Sequence, residues 1–182
     1  MSFLTRSELL GYSARSVQQN FSAIRESQAR KEALLKQAGR ISSLFLSHSH
    51  QDRDLVVPAV AFLKSLGVDV YVDWLDGEMP PKVSGETAKK LKAKIKEHDK
   101  FIVLVTENSK DSHWVPWELG VADGEKGIAK IATLPIKNDT RDFVGNEYFS
   151  IYPRVEAYKD DWIVWIADPP NLRYLKEWLA TL

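Results

Sequence analysis

The sequence predicts an α/β protein with a parallel, doubly wound sheet and helices on both faces. Three observations carry this expectation. Short apolar runs recur at 42–47, 68–72, 101–105 and 128–136. Between them lie segments long enough for helices, bounded by glycine or proline. The run FIVLV (101–105) is apolar at every position, as a strand covered on both faces requires. Alternation of this kind with short connections is met by parallel strands and right-handed crossovers.

In chain order, residues 5–38 read as helix. Leu10, Val17, Phe21 and Ile24 recur at spacings of 7, 4 and 3, which lays one apolar stripe along it, and Gly39 supplies a stop. Residues 1–40 hold seven Lys/Arg against three Asp/Glu. They form an N-terminal helical extension of net charge +4, ahead of a main domain at 41–182 that carries −4. The extension is expected to serve packing or assembly. At Ile41 the pattern changes. SSLFLS (42–47) is a strand that ends in the polar cluster Ser47-His48-Ser49-His50-Gln51-Asp52. Leu55 to Leu66 is an apolar helix with Pro58 near its start and Gly67 as its cap. VDVYV (68–72) is a strand, and two prolines and two glycines keep the loop 73–85 from continuing either element.

The next helix spans 86–98, with Ala88, Leu91 and Ile95 on one face and five lysines around the rest. FIVLV follows as the central strand, then a helix to Gly124, then the strand IAKIATLPI (128–136). Beyond it the reading is coarser, with strand-like IVWI (163–166) and a closing helix over 171–182.

Composition narrows the function. Net charge is zero, so no overall basic field points to nucleic acid or a membrane surface. The chain has no cysteine, which excludes thiolate nucleophiles and cysteine-held zinc and fits a reducing compartment. No run approaches the roughly 20 apolar residues that span a bilayer, and the first residues lack the apolar stretch of a signal peptide. The expectation is a cytoplasmic protein.

Familiar motifs are missing: there is no G-x-G-x-x-G after a strand, no G-x-x-x-x-G-K-[ST] and no G-x-S-x-G. His48 and His50 have no further ligands in their segment, so no metal is expected. Asp52 reads as an N-cap or first-turn residue. The lysines of 89–96 read as a solvated helix face, since no aromatic residue interleaves them.

One constellation stands out, in HWVPWELG (113–120). Pro116 is at ease only in a first helical turn, so the helix starts near Ser112 or His113. Glu118 then falls within two turns of the N-terminus, where the helix dipole favours an ionised carboxylate. Trp114 stands four residues before it on the same face, while Trp117 points elsewhere, toward the core. In a doubly wound sheet the start of this helix gathers with the 47–52 cluster and the 73–85 loop at the carboxyl ends of the strands.

W-x-x-x-E after a central strand resembles the catalytic helix of TIR-domain NAD glycohydrolases. LFLSHSHQD (44–52), LGVDVYVD (66–73), the following loop in the place of the BB loop, and IATLPI (131–136) resemble the family in the same order. The resemblance implies a flavodoxin-like TIR fold and cleavage of the nicotinamide–ribose bond of NAD+, with Glu118 catalytic. It implies substrate contacts from Trp114, Ser47, His48 and Asp73, and from Lys82 or Lys89 to the pyrophosphate. NAD+ is then substrate, and no cofactor is expected. The products implied are ADP-ribose or a cyclic isomer. The chain is similar to the antiphage TIR proteins of Thoeris systems, which implies self-association and a separate effector that responds to the nucleotide. Two alternatives stay open: a non-catalytic TIR interaction module, and a nucleoside deoxyribosyltransferase-like enzyme.

Overall fold

The computed structural model describes residues 2–14, 42–80, 84–138, 147–166 and 170–181. Their strands form one sheet. A short strand, β1 (Leu4–Thr5), leads into helix α1 (Arg6–Ala14). The alternating core then runs β2 (Ser43–Ser47), α2 (Arg53–Ser65), β3 (Asp69–Tyr71), α3 (Gly85–Glu97), β4 (Lys100–Val105), α4 (Trp114–Lys126) and β5 (Ile131–Lys137). Strands β6 (Arg154–Tyr158), β7 (Asp161–Ile166) and β8 (Asn171–Tyr174) and helix α5 (Leu175–Ala180) follow. The sheet order is β3-β2-β4-β5-β6-β7-β8, with β1 also against β5. Pairing is parallel from β3 to β6 and antiparallel through β7 and β8.

Period-two alternation divides the core into two layers. Along β4, Phe101, Val103 and Val105 face one way and Ile102 and Leu104 the other. Phe45 of β2 shares the first layer with Leu91 and Ile95 of α3 and Val115, Leu119 and Ala122 of α4. Leu44 and Leu46 share the second with Leu9 of α1, with Leu55, Ala59, Phe62 and Leu63 of α2, and with Trp178 of α5. Helices therefore cover both faces, and each large side chain buried this way contributes about 1.5–3 kcal/mol.

Local signals set the ends of the helices. Gly67 takes a φ of 90°, open to glycine without strain, and its N–H closes α2 on the Lys64 carbonyl at 3.0 Å. Ser84 and Thr87 form a capping box that starts α3. Strand order reverses around β2: the chain steps from β2 out to β3, then crosses back to β4 on the other side. A crevice opens at such a switch point, outside the carboxyl ends of β2 and β4.

Several expectations are corrected. Residues 2–14 are built into the sheet and core: Leu4 pairs with Ile136, and Leu9 is fully buried against α2. Leu10, expected on the apolar stripe, is 37% exposed, because the short helix that follows β1 turns Leu9 inward instead. Val17, Phe21 and Ile24 lie outside the described residues. The expected helix over 171–182 begins as strand β8, paired with β7 through residues 171–174, and turns helical only at Leu175. Among the described residues no helix is long and apolar enough to cross a membrane. Leu9→Ala is expected to destabilise the fold by about 2–4 kcal/mol and Leu10→Ala by less than about 1 kcal/mol, compared by urea denaturation.

Candidate active site

The site grows from the parity of β2. Phe45 packs in the layer under α3 and α4, so Ser47, two residues on, points to the same side. It is the last residue of the strand and meets the first turns of α4 there. The Ser112 hydroxyl accepts the Val115 N–H at 3.2 Å, which opens this helix, and Pro116 follows within its first turn as expected. Val115, Leu119 and Ala122 seat α4 on the sheet. Glu118 is then directed at the end of β2, and the Ser47 hydroxyl donates to its Oε2 at 2.5 Å.

Glu118 is buried, at 5% exposure. Burial pushes its carboxyl group up to about 8, the nearby Asp73 charge adds to the rise, and the Ser47 hydrogen bond opposes it. The carboxyl group is therefore largely protonated at neutral pH, which corrects the expectation of an ionised carboxylate. The helix dipole is worth about 0.3–1 kcal/mol at an exposed site, too little to offset loss of water from a carboxylate.

A cavity of about 760 Å³ opens beside this group, within the range of small-molecule sites. Glu118, Trp114, His48 and Asp73 all line it, so four of the residues proposed from the sequence meet in one place. Trp114 is half-buried and holds the Trp117 ring edge-on at 5.4 Å. Trp117 itself is 38% exposed, not a core residue, because Val115 and Leu119 occupy the sheet-facing positions. The buried His48 ring has Nδ1 3.3 Å from the Leu46 carbonyl and Nε2 3.9 Å from Asp73 Oδ1. Burial lowers its proton affinity, against the pull of Asp73. Ser47 acts on the cavity through Glu118 and is not itself part of the lining.

The lysines fall elsewhere. Lys89 is exposed on α3 and lines no part of the cavity, and Lys82 lies outside the described residues. Two neighbours of Lys89 fasten the loop after β3: Lys90 Nζ donates to the Glu78 carbonyl at 2.6 Å, and Lys94 sits 4.0 Å from Asp76. The lysine face is thus partly structural, where a purely solvated face is expected from sequence. Asp52 takes the N-cap position before α2 as expected, but its side chain makes no cap hydrogen bond; its carboxylate accepts from Thr106 Oγ1 and Asn108 Nδ2, both at 2.6 Å. That ties the loop after β2 to the loop after β4.

Sequence reasoning missed Arg53 and Trp74, which both line the cavity, with the guanidinium 5.8 Å from the indole centroid. Each adjoins a residue already singled out, Asp52 and Asp73. Among the described lining residues Arg53 is the one Lys or Arg.

The TIR domain family model matches residues 44–167. The chain belongs to the TIR domain family. One relative, provisionally named 3' cyclic ADP-D-ribose synthase ThsB', comes from Bacillus cereus (strain MSX-D12). It is 36% identical over 165 residues, covering 85% of this chain and 83% of its own length. A second, provisionally named cyclic ADP-D-ribose synthase TIR2, comes from Cytobacillus dafuensis and is 26% identical over 117 residues. That match covers 56% of this chain and 31% of the relative, so the TIR domain here spans about a third of that protein. The mostly parallel sheet with helices on both faces is the TIR fold that the sequence predicts.

The raised Glu118 carboxyl makes stability depend on pH. Between its ordinary value of 4.5 and about 8, the unfolded chain loses a proton that the folded chain keeps. The contribution is full below 4.5 and is lost as pH rises through 8, at up to about 1.4 kcal/mol per pH unit. Glu118→Gln removes the titration. Its melting temperature relative to wild type is expected to rise from pH 4.5 to pH 8 and then level off, read by thermal denaturation without substrate.

Proposed function

We propose that this TIR protein cleaves the nicotinamide–ribose bond of NAD+ and closes the ADP-ribosyl group into a cyclic ADP-ribose isomer, with ADP-ribose as the product of hydrolysis. One observation carries the reading: a single buried carboxyl group, held by Ser47, lines a cavity beside an indole wall. The names of the two relatives support it.

The chemistry fits one acid. The bond breaks with its electron pair going to nicotinamide, which leaves as a neutral base and needs no proton. The ribose is left as an oxocarbenium ion, and Glu118 as a carboxylate would face that positive charge. A cation close to the carboxyl group favours ionisation, so substrate itself draws the raised value back down. Trp114 gives a flat apolar face to a base or to the ribose. Arg53 replaces the exposed Lys89 as the cation for the pyrophosphate, since it lies in the lining. Asp73 and His48 are assigned to the sugar hydroxyls. The reaction needs no cofactor beyond NAD+ as substrate. We assign the product a signalling role in antiphage defence through a separate effector, and self-association to the TIR domain.

The test is nicotinamide release at high protein concentration, with the co-product separated by chromatography. Wild type is expected to release nicotinamide and yield a species distinct from ADP-ribose. Glu118→Ala is expected to lose release by at least about a hundredfold. Cleavage of nucleosides without NAD+ turnover would indicate a deoxyribosyltransferase-like enzyme, and no turnover of either an interaction module. In wild type, kcat/KM is expected to climb about tenfold per pH unit and flatten near pH 8, as Glu118, facing Asp73, Ser47 and His48, ionises in the free enzyme.

A further inference from the structure

Two of the described residues that line the cavity are tryptophans, and they reach it from opposite faces of the sheet. Trp114 packs against the first core layer, under α3 and α4. Trp74 packs against the second, the layer of α2. It sits in the single turn Asp73–Leu75, which Leu75 anchors by its burial in that layer. The Asp76 N–H closes the turn on the Asp73 carbonyl at 3.0 Å, and the Tyr71 hydroxyl holds Asp76 at 2.7 Å. A braced backbone therefore presents the Trp74 indole, which is only partly buried.

Arg53, exposed at the start of α2, stands 5.8 Å from the Trp74 ring centroid, inside cation–π range. That face of the indole is covered by a long, solvent-exposed side chain, which can move aside for a flat ligand.

NAD+ also carries two flat rings, one on each ribose, with a diphosphate between the sugars. The rings differ in charge: nicotinamide is cationic while bonded to ribose, and adenine is neutral. The two indoles differ in the same sense. Trp114 shares its helix face with Glu118, and the Asp73 charge acts there too. Trp74 has a guanidinium over its ring, which repels a pyridinium and tolerates a neutral purine. Adenine stands one ribose away from its diphosphate, so an anion held by Arg53 puts the base within reach of the neighbouring indole.

We propose that the Trp74 indole stacks the adenine base of the dinucleotide, with Arg53 drawn from the ring face to the diphosphate. The proposal rests on NAD+ as the substrate of this cavity. The nicotinamide half then lies at Trp114 and Glu118, and the dinucleotide crosses the edge of the sheet from one core layer to the other. Trp74 touches no reacting atom; it binds the half of the substrate that marks it as an adenine dinucleotide.

Two half-ligands test the assignment without turnover: ADP carries the adenine half, and nicotinamide mononucleotide carries the other. Each is titrated into the full chain by calorimetry. In wild type, ADP is expected to bind at least about tenfold tighter than inorganic pyrophosphate, which reaches Arg53 but offers no base to the indole. Trp74→Ala is expected to weaken ADP by about tenfold or more and nicotinamide mononucleotide by less than about twofold. Retained binding of the second ligand also shows that the cavity has kept its shape. Trp74→Phe keeps a flat ring on the turn and is expected to recover most of the ADP affinity.

Equal weakening of both half-ligands in Trp74→Ala and Trp74→Phe would reduce Trp74 to a packing residue and overturn the proposal. Selective loss of nicotinamide mononucleotide would place the other ring there and overturn it as well. So would wild type that binds ADP no tighter than pyrophosphate. Nicotinamide release from NAD+ is read separately. Its absence from wild type, alongside selective loss of ADP in Trp74→Ala, would strike the cleavage and support the adenine subsite.

Discussion

The hydrogen bond from Ser47 to Glu118 joins the end of β2 to the first turns of α4, and there the packing of the sheet becomes the chemistry of the cavity. Its geometry is set by apolar residues on both sides. Phe45 fixes which way Ser47 points, and Val115 and Leu119 fix the rotation of α4. A carboxyl group buried in this way is largely protonated at neutral pH, and a positive charge placed beside it would favour its ionised form.

The loops around the cavity are tethered separately. Asp52 gathers Thr106 and Asn108, which links the segments after β2 and β4. Lys90 and Lys94 hold the loop after β3 against α3 by a backbone carbonyl and by Asp76, and the Tyr71 hydroxyl donates to Asp76 at 2.7 Å. The arrangement places irregular backbone on rigid elements, which is how a loop-built site keeps its shape.

Much of this was legible in sequence because the relevant signals are local. Alternating apolar runs reveal the strands, Gly67 ends its helix, and Pro116 locates the start of α4 to within two residues. The four-residue spacing of Trp114 and Glu118 gives their shared wall. What escaped depends on partners distant in sequence. The charge state of Glu118 turns on burial under other elements, and Asp52 reaches across to residues 106 and 108. The run of residues 171–174 takes strand form only because β7 offers an edge to pair with. Lys89 and Lys94 look alike in sequence, yet only the latter faces the loop.

The place of β1 has a consequence for the order of assembly. Leu4 and Thr5 pair with Ile136 and Lys137, and Ser2 bridges to Ala157, so the early residues dock on a strand from far downstream. Closing so long a loop demands entropy that local contacts do not repay. The sheet from β2 to β5 can form from near neighbours, whereas β1 has no surface to join until β5 exists. The second core layer is therefore completed through Leu4 and Leu9 only by a pairing that spans the chain from residue 4 to residue 136.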